Sequence, residues 1–246
     1  MAQLPAIDYN QAAGSYAAHR RVHPGVFREL CERGRVRSKS KVLEVGCGTG
    51  NYVSALVGYT GCRAWGLDPF AEMLAHAGAR PERVGWLLGR AEQMGFAADG
   101  LNLVFSVDVI HHVSDKAAFY REAARVLQPG GYVCTVTDSE EIIRRREVLS
   151  GYFPETVEVE LARYPRLTDL EKWMAEAGLA GLDTILVEEP FEISSAQPYR
   201  DKAFSSLHLI SEQAWRAGME RLEQALARGP IRGKSRYACL WGRKEG

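Results

Sequence analysis

The 246-residue chain lacks a cysteine framework, a long hydrophobic run and an excess of charge of either sign. Its five cysteines are odd in number, widely spaced and form no Cys-x-x-Cys pair, which excludes a disulfide scaffold and a zinc finger. No apolar run approaches the roughly 20 residues of a membrane span, and the N-terminus lacks the basic-then-apolar pattern of a signal peptide. We therefore expect a soluble, cytoplasmic protein with no metal site and no membrane partner.

The balance of charge bears on the kind of partner. The 31 Lys and Arg residues offset 31 Asp and Glu residues, so the formal net charge is zero. Nucleic-acid-binding proteins depend on an excess of basic residues that neutralise phosphates. The composition therefore argues against a nucleic-acid partner. The length fits a single α/β domain with additions and leaves the oligomeric state open.

Apolar, β-rich runs alternate with helical segments between residues 41 and 137. This alternation is typical of βαβ units, whose parallel strands are buried on both faces of the sheet. Two further strands are predicted over 182–189 and 236–242. The 46 residues between them are too many for a tight hairpin, so we expect an insertion that lies over the sheet.

The strongest local pattern is a strand that ends in an acidic residue and runs into three alternating glycines, Glu44-Val45-Gly46-Cys47-Gly48-Thr49-Gly50. Glycine is needed where the backbone takes a positive φ or approaches a ligand without a Cβ in the way. At the carboxyl end of a parallel strand, such a turn lies where open α/β sheets bind nucleotides. A tight strand-to-helix turn without a ligand is the alternative.

A second acidic residue, Asp68, ends the next predicted strand, 18 residues after Gly50. A carboxylate in this place can accept hydrogen bonds from both ribose hydroxyls of a nucleoside. It can also simply cap the helix that follows, since Asp is common before a helix. Together with the glycine turn, Asp68 favours a nucleoside-containing ligand.

The glycine spacing is G-x-G-x-G, and not the G-x-G-x-x-G that cradles a dinucleotide pyrophosphate. Three more segments, 89–96, 101–113 and 125–131, follow in order, and with them residues 41–137 resemble the class I S-adenosylmethionine-dependent methyltransferases. The most similar subgroup is the ubiquinone-biosynthesis-like small-molecule methyltransferases (methyltransferase type 11). The resemblance implies S-adenosylmethionine as cofactor, S-adenosylhomocysteine as product and a small-molecule methyl acceptor.

The resemblance also implies an α/β fold with a Rossmann-like, seven-stranded, mostly parallel sheet, whose last strand is antiparallel and which has helices on both faces. A single methyltransferase domain would span residues 1–246. Its expected parts are an N-terminal helical lid (1–35), a cofactor-binding core (36–138) and two insertions that form a helical cap over the substrate (139–167 and 190–235).

Site residues are implied by matching this chain to the family's motifs. The glycine turn and Glu44 would lie beside the methionine part of the cofactor, and Asp68 would take the ribose. Arg90 stands where the family often has Asp, and arginine offers no acceptor to the adenine amino group, so that contact passes to backbone or to Glu92. The implied cofactor-binding residues are Tyr16, Arg20, Glu44, Gly46, Cys47, Gly48, Gly50, Asp68, Pro69, Met73, Arg90, Ala91, Glu92, Ser106, Val107 and His111.

Two basic features remain open to more than one interpretation. Arg20 either pairs with the cofactor carboxylate or belongs to a solvated basic face. For His111 and His112 the alternatives are a general base, a metal pair, or packing and positioning; the last is favoured and a metal least, because no Cys, Asp or Glu cluster completes a metal site. His111 is retained as the candidate catalytic residue.

The sequence gives less information about the part of the site that binds the methyl acceptor. Six aromatic residues in the predicted cap could form its walls or be ordinary core, and the arginine run 144–146 favours a solvated helix face. A methyltransferase of macromolecules, or a non-catalytic module that binds S-adenosylmethionine, remains an alternative function. The aromatic candidates are Tyr152, Phe153, Tyr164, Phe191, Tyr199 and Phe204.

Overall fold

The computed structural model describes residues 18–78 and 83–246, together with Gly14. Tyr16, to which the family resemblance assigns a cofactor contact, lies outside the described residues. No helix in the described part of the chain has the length and apolar character that crossing a bilayer requires.

Within these residues, seven strands form one sheet in the order β3-β2-β1-β4-β5-β7-β6. Strands β1 to β5 are parallel to one another, and β7 runs antiparallel to both of its neighbours. The predicted Rossmann-like fold is therefore confirmed. The strands are β1 Lys41–Val45, β2 Arg63–Asp68, β3 Val84–Leu88, β4 Leu101–Val107, β5 Leu127–Thr137, β6 Leu179–Ile193 and β7 Ile231–Lys244.

The helices that the structure describes lie between these strands and in the insertions. Several begin at a side chain that accepts a backbone N–H, as when Asp115 accepts from Ala118 at 2.8 Å at the start of α4. The helices are α1 Pro24–Glu32, α2 Asn51–Thr60, α3 Ala71–Gly78, α4 Lys116–Val126, α5 Glu140–Arg144, α6 Leu149–Tyr152, α7 Glu155–Arg163, α8 Leu167–Glu176, α9 Gln197–Arg200 and α10 Glu212–Leu226, with short 3-10 helices at Ile110–His112 and Ser205–His208.

The sheet is covered by helices on both faces. Along β4, Leu103 and Phe105 pack with the cluster that includes helices α1 and α2, while Val104 packs with the cluster that includes α4 and α8. Successive side chains of a strand point to opposite faces, so a strand covered on both sides is apolar throughout. This is why the core strands read as continuous hydrophobic runs.

The two insertions share a third hydrophobic cluster of their own. Phe153 and Leu149 from the first insertion pack with Tyr199, Leu207 and residues of α10 from the second. The Phe153 and Tyr199 rings are stacked, with centroids 5.9 Å apart. The insertions therefore pack together as one cap.

The β6–β7 hairpin is longer than the sequence predicts. The predicted strands 182–189 and 236–242 extend at both ends, so residues 190–193 and 231–235, assigned to an insertion, belong to strands. Beyond its contact with β5, the hairpin pairs only with itself. Ion pairs such as Glu188–Arg236 and Glu192–Arg232 join the two strands there. Phe191, Ile193 and Ile231 of these strands pack against the cap cluster. Pro190 and Gly233 are residue types typical of turns, which is why the sequence pattern did not reveal the strands.

Candidate active site

Two adjoining cavities open at the carboxyl edge of the sheet. The first has a volume of about 190 Å³ and is lined by the turns after β1, β2 and β4. The second has a volume of about 460 Å³ and lies between the sheet edge and the cap. The residues that line both cavities are Arg20, Arg21, Asp108, Tyr164, Ser205 and Tyr237.

The three glycines after β1 serve different purposes. Gly48 has a φ of 53° and faces the first cavity; a Cβ built there would meet only Met73 Sδ, at 4.0 Å. At Gly46 a Cβ would lie 2.5 Å from Val109, so its absence lets the turn after β4 approach. Gly50 lies behind the turn, against Trp86, and does not line either described cavity. Only Gly48 presents bare backbone to open space.

Asp68 joins the tips of β1 and β2. Its Oδ2 accepts the Gly48 N–H at 2.8 Å and its Oδ1 accepts the Phe70 N–H at 2.9 Å. Burial raises the pKa of this carboxyl, while the two backbone hydrogen bonds act in the opposite direction. The bond to Phe70 supports the capping interpretation, and the place of Asp68 in the cavity wall leaves further lone pairs for a ligand.

Glu44 is buried at the end of β1, and its Oε2 accepts the Val53 N–H at 2.9 Å. This contact satisfies an N–H in the first turn of α2, which has no partner within the helix. The carboxylate therefore fixes the helix start against the strand and also contributes to the wall of the first cavity.

The structure separates the sequence-predicted residues into two groups. Ten implied cofactor-binding residues line the first cavity, and Tyr164, a predicted cap wall, lines it as well: Arg20, Glu44, Gly46, Cys47, Gly48, Asp68, Pro69, Met73, Val107 and His111. Five implied cofactor-binding residues line neither described cavity: Gly50, Arg90, Ala91, Glu92 and Ser106.

Arg90 and Glu92 are held by the loop before α4. The Glu92 carboxylate accepts from the backbone and hydroxyl of Ser114, at 3.2 and 2.9 Å, and Arg90 donates to the same hydroxyl at 3.1 Å. Both side chains therefore make their hydrogen bonds outside the first cavity. An adenine contact from this segment stays a prediction.

Several lining residues were not found by sequence reasoning. Phe70 follows Pro69 directly, so its position next to a predicted contact was the available signal. Tyr52 and Tyr237 come from the first turn of α2 and from β7, and nothing in their local sequence marks them. The Tyr52 OH accepts the His23 N–H at 3.0 Å, and the Tyr237 OH donates to Asp108, another wall residue, at 3.1 Å.

His111 packs in the cavity wall as an uncharged ring. It stacks on Tyr164 with centroids 4.0 Å apart, and neither ring nitrogen has a hydrogen-bond partner within the described residues. Burial, followed by the charges of His112 and nearby arginines, lowers the pKa of His111 well below its usual value. The packing interpretation has direct contacts, and no cluster of potential metal ligands occurs in the described ranges.

Asp108 stands where the two cavities meet. It adopts a left-handed φ of 56°, a conformation that costs a non-glycine residue about 1–2 kcal/mol. Its Oδ2 accepts from Tyr237 and lies 3.6 Å from Arg20 Nη1. Its Oδ1 is buried and has no partner in the described part of the chain. The fold thus holds Asp108, with its backbone in a strained conformation, at the junction of the two cavities.

The arginine run 144–146 is only partly a solvated face. Arg144 and Arg145 are exposed, as expected, but the Arg146 side chain is only 17% exposed and donates to Asp138 and to Glu160. The expectation is therefore wrong for Arg146. The chain ends α5 at residue 144, and the Arg146 side chain turns to these buried carboxylates, whereas Arg145, which also lines the second cavity, stays exposed and pairs with Glu141.

The six aromatic candidates fall into two groups, one in the cap core and one in the cavity wall. Phe153 is fully buried in the cap cluster and Tyr152 packs at its edge, so neither lines a described cavity. The other four form walls of the second cavity: Tyr164, Phe191, Tyr199 and Phe204.

With this geometry established, comparison with known proteins decides the family. Residues 43–135 match the family model described as methyltransferase domain. This part of the chain is a methyltransferase domain. The match confirms the resemblance predicted from residues 41–137 and covers the turns that build the first cavity.

Relatives of the methyltransferase domain include the malonyl-[acyl-carrier protein] O-methyltransferase of Serratia marcescens, which is 34% identical over 131 residues, 53% of this chain and 51% of the relative. The ubiquinone biosynthesis O-methyltransferase of Rhizobium rhizogenes is 32% identical over 102 residues, 39% of this chain and 41% of the relative. The matched region therefore spans about half the length of these curated relatives, or less.

A solved structure shares the fold of the methyltransferase domain and its cap. Phosphoethanolamine N-methyltransferase 2 of Haemonchus contortus, in complex with S-adenosyl-L-methionine, has a TM-score of 0.62 at 18% identity. The similarity covers 98% of this chain and 61% of that chain. At this identity the likeness concerns the fold alone.

Proposed function

We propose that this chain is an S-adenosylmethionine-dependent methyltransferase, which moves a methyl group from the cofactor in the first cavity to a small molecule in the second. The observation that carries this proposal is the shared wall, since Asp108, Tyr164 and Tyr237 line both cavities. An in-line displacement needs donor and acceptor side by side. Holding both in that position makes the reaction effectively unimolecular.

The first cavity offers groups that suit each part of the cofactor. The bare backbone at Gly48 leaves room for the methionine part, and Arg20 can pair with its carboxylate. Asp68 has lone pairs for the ribose hydroxyls. Phe70 and Met73 provide an apolar wall for the adenine.

The cofactor supplies an activated methyl group on a sulfonium, and S-adenosylhomocysteine is the product. The chain's own residues bind, align and exclude water. We assign the lid role to the segment before α1, because Arg20 and Arg21 line both cavities and His19 lies 2.8 Å from Asp201 of the cap. The core and the two cap insertions complete a single domain.

A small-molecule acceptor is favoured over a macromolecule, because the cap walls the second cavity with four aromatic rings. The names of the relatives, which refer to a malonyl group and to ubiquinone biosynthesis, support the same class. We place the reaction in the cytoplasm, because all five cysteines are free thiols, as a reducing compartment requires.

Calorimetric titration with S-adenosylmethionine, S-adenosylhomocysteine and NADH tests the cofactor. We expect the first two to bind and NADH not to bind. Incubation with methyl-labelled cofactor and a cell extract, followed by separation into low-molecular-mass and macromolecular fractions, tests the acceptor. Label in the small-molecule fraction supports the proposal. Label in macromolecules, or binding without transfer, favours one of the two alternatives.

A further inference from the structure

Two buried carboxylate oxygens at the second cavity have no hydrogen-bond partner in the described ranges: Asp108 Oδ1 and Asp138 Oδ1. Both residues follow the carboxyl ends of neighbouring parallel strands, β4 and β5, and the Asp108 N–H donates to Val136 of β5 at 3.0 Å. Asp138 is only 4% exposed. Buried polar atoms are normally satisfied, so two unsatisfied oxygens in one cavity wall point to a ligand that donates to them.

The charges of these carboxylates are already balanced. Asp108 lies 3.6 Å from Arg20, and Asp138 accepts from Arg146, which also contacts Glu160 at 2.5 Å. Arg163 contacts the other oxygen of Glu160, at 2.5 Å. The two unsatisfied carboxylate oxygens can therefore accept hydrogen bonds from a ligand, and their charges do not require another positive charge. A neutral donor fits this condition better than an ammonium ion does.

Four aromatic rings in the remaining wall suit a flat, apolar body, and the charged side chains of Arg21, Arg145, Glu147, Lys234 and Arg236 also line this cavity. Tyr199 and Phe204 are stacked with centroids 5.0 Å apart, and Tyr164 and Phe191 complete the aromatic surface. Among the described residues, Asp108 is the only carboxylate that lines both cavities. A donor group bound between Asp108 and Asp138 would thus face a methyl group presented from the first cavity.

We propose that Asp108 and Asp138 hold the nucleophilic hydroxyl of a neutral, apolar-bodied acceptor, and that Asp138 accepts its proton during methyl transfer. This assignment rests on the proposed function. The acceptor oxygen forms a bond to the methyl carbon as the sulfur–carbon bond breaks, and that electron pair stays on sulfur as a neutral thioether. The hydroxyl proton moves to the Asp138 carboxylate and from there to solvent.

The titration of Asp138 agrees with this role. Burial, followed by the charges of Asp108 and Glu160, raises the pKa of Asp138 to about 7 against the opposing effect of Arg146. The other titratable groups whose charge couples to it, Tyr164 and Tyr237, have raised pKa values and stay neutral. A general base is most effective when its pKa is near the working pH. His111, whose pKa is well below its usual value, is a weaker base in this cavity.

The test uses two probes, 4-ethylphenol and 4-ethylanisole, in which the same oxygen carries a donor proton or a methyl group. Each is titrated by calorimetry into the protein after saturation with S-adenosylhomocysteine. At about one pH unit above the Asp138 pKa of about 7, we expect the phenol to bind about tenfold more tightly or better. Equal affinity for the two probes, or binding of neither, would overturn the proposal.

Methyl transfer to 4-ethylphenol from labelled S-adenosylmethionine tests the proton step. Its rate should fall as the pH drops below about 7, because protonated Asp138 cannot accept a proton, and this acidic limb should disappear in Asp138→Asn along with most of the rate. A pH-independent rate, an unchanged acidic limb in the variant, or no transfer to the bound phenol would overturn the assignment.

Control variants separate this proposal from folding and from cofactor binding. Asp183→Asn removes an exposed carboxylate that pairs with Arg33 and lines neither described cavity, and it should leave probe selectivity and transfer unchanged. Asp138→Asn, whose side chain lines the second cavity and not the first, should bind S-adenosylhomocysteine as the wild type does while losing the preference for the phenol. If wild-type protein fails to bind S-adenosylhomocysteine, the proposed function itself fails, and the carboxylate assignment with it.

Discussion

The two cavities differ in how widely their wall residues are separated along the sequence. Most of the first cavity is built from three short segments that follow β1, β2 and β4. The second draws on residues from Asp138 to Tyr237, which come from both insertions and from the β6–β7 hairpin. The first is fixed by backbone geometry at the tips of parallel strands, whereas the second depends on side chains that only tertiary packing brings together.

Replacing Arg146 by Met tests the dependence of the second cavity on buried charge, and should have the largest effect. The substitution leaves Asp138 and Glu160 without their shared cation, so we expect the free energy of unfolding to fall by about 3 kcal/mol in urea denaturation. Its sequence neighbour Arg145, 74% exposed, is the control; Arg145→Met should cost less than about 1 kcal/mol. Equal losses would contradict the buried network.

The glycine turn is tested by Gly48→Val. A branched side chain at φ 53° would project into the first cavity, and we expect S-adenosylmethionine affinity to fall by about 100-fold, or about 2.7 kcal/mol. Gly61→Val is the matched control, because Gly61 has a φ of 69°, similar open space and no place in either cavity. The control should lose stability to a similar degree and bind normally. Normal binding by Gly48→Val would show that the glycine turn does not contact the cofactor.

Asp68→Asn tests the ribose contact. The substitution removes a charge and one acceptor, and we expect affinity for S-adenosylmethionine to fall by about tenfold, the usual effect of losing a charge-assisted hydrogen bond. Asp183→Asn, which removes a carboxylate outside both described cavities, is the control. Calorimetry that finds equal affinity in the two variants would leave Asp68 with only its capping role.

His111→Phe should have the smallest effect. A lowered pKa keeps the imidazole neutral at physiological pH, so removing its nitrogens changes no charge, and Phe can keep the stack on Tyr164. We expect methyl transfer to change by less than about threefold, since a general base would contribute about 100-fold or more. A loss of that larger size in initial-rate measurements would restore His111 as the base.

These differences show which parts of the molecule its sequence reveals. Strands β1 and β4 match their predicted bounds because they are apolar, buried on both faces and followed by turn residues. Gly48 and Asp68 were recognisable because fixed backbone geometry requires those residue types in those places. The parallel strands and the antiparallel last strand followed from the family resemblance and from the βαβ alternation.

The acceptor side could not be predicted for physical reasons. Arg146 has the same local sequence as Arg145, and only the end of α5 and the facing Asp138 and Glu160 distinguish them. Tyr237 reaches Asp108 across 129 positions of the chain, a contact with no local signal. The outer hairpin contains Pro190 and Gly233, residue types that are typical of turns, so its strands resemble loops.

A crystal structure of the protein with S-adenosylhomocysteine is the most direct test of the central claim. We expect the ribose within hydrogen-bond distance of Asp68, the amino-acid part against Gly48, and the sulfur directed at the junction beside Asp108. A nucleoside bound elsewhere, or a first cavity that stays closed to it at saturating concentration, would contradict the account.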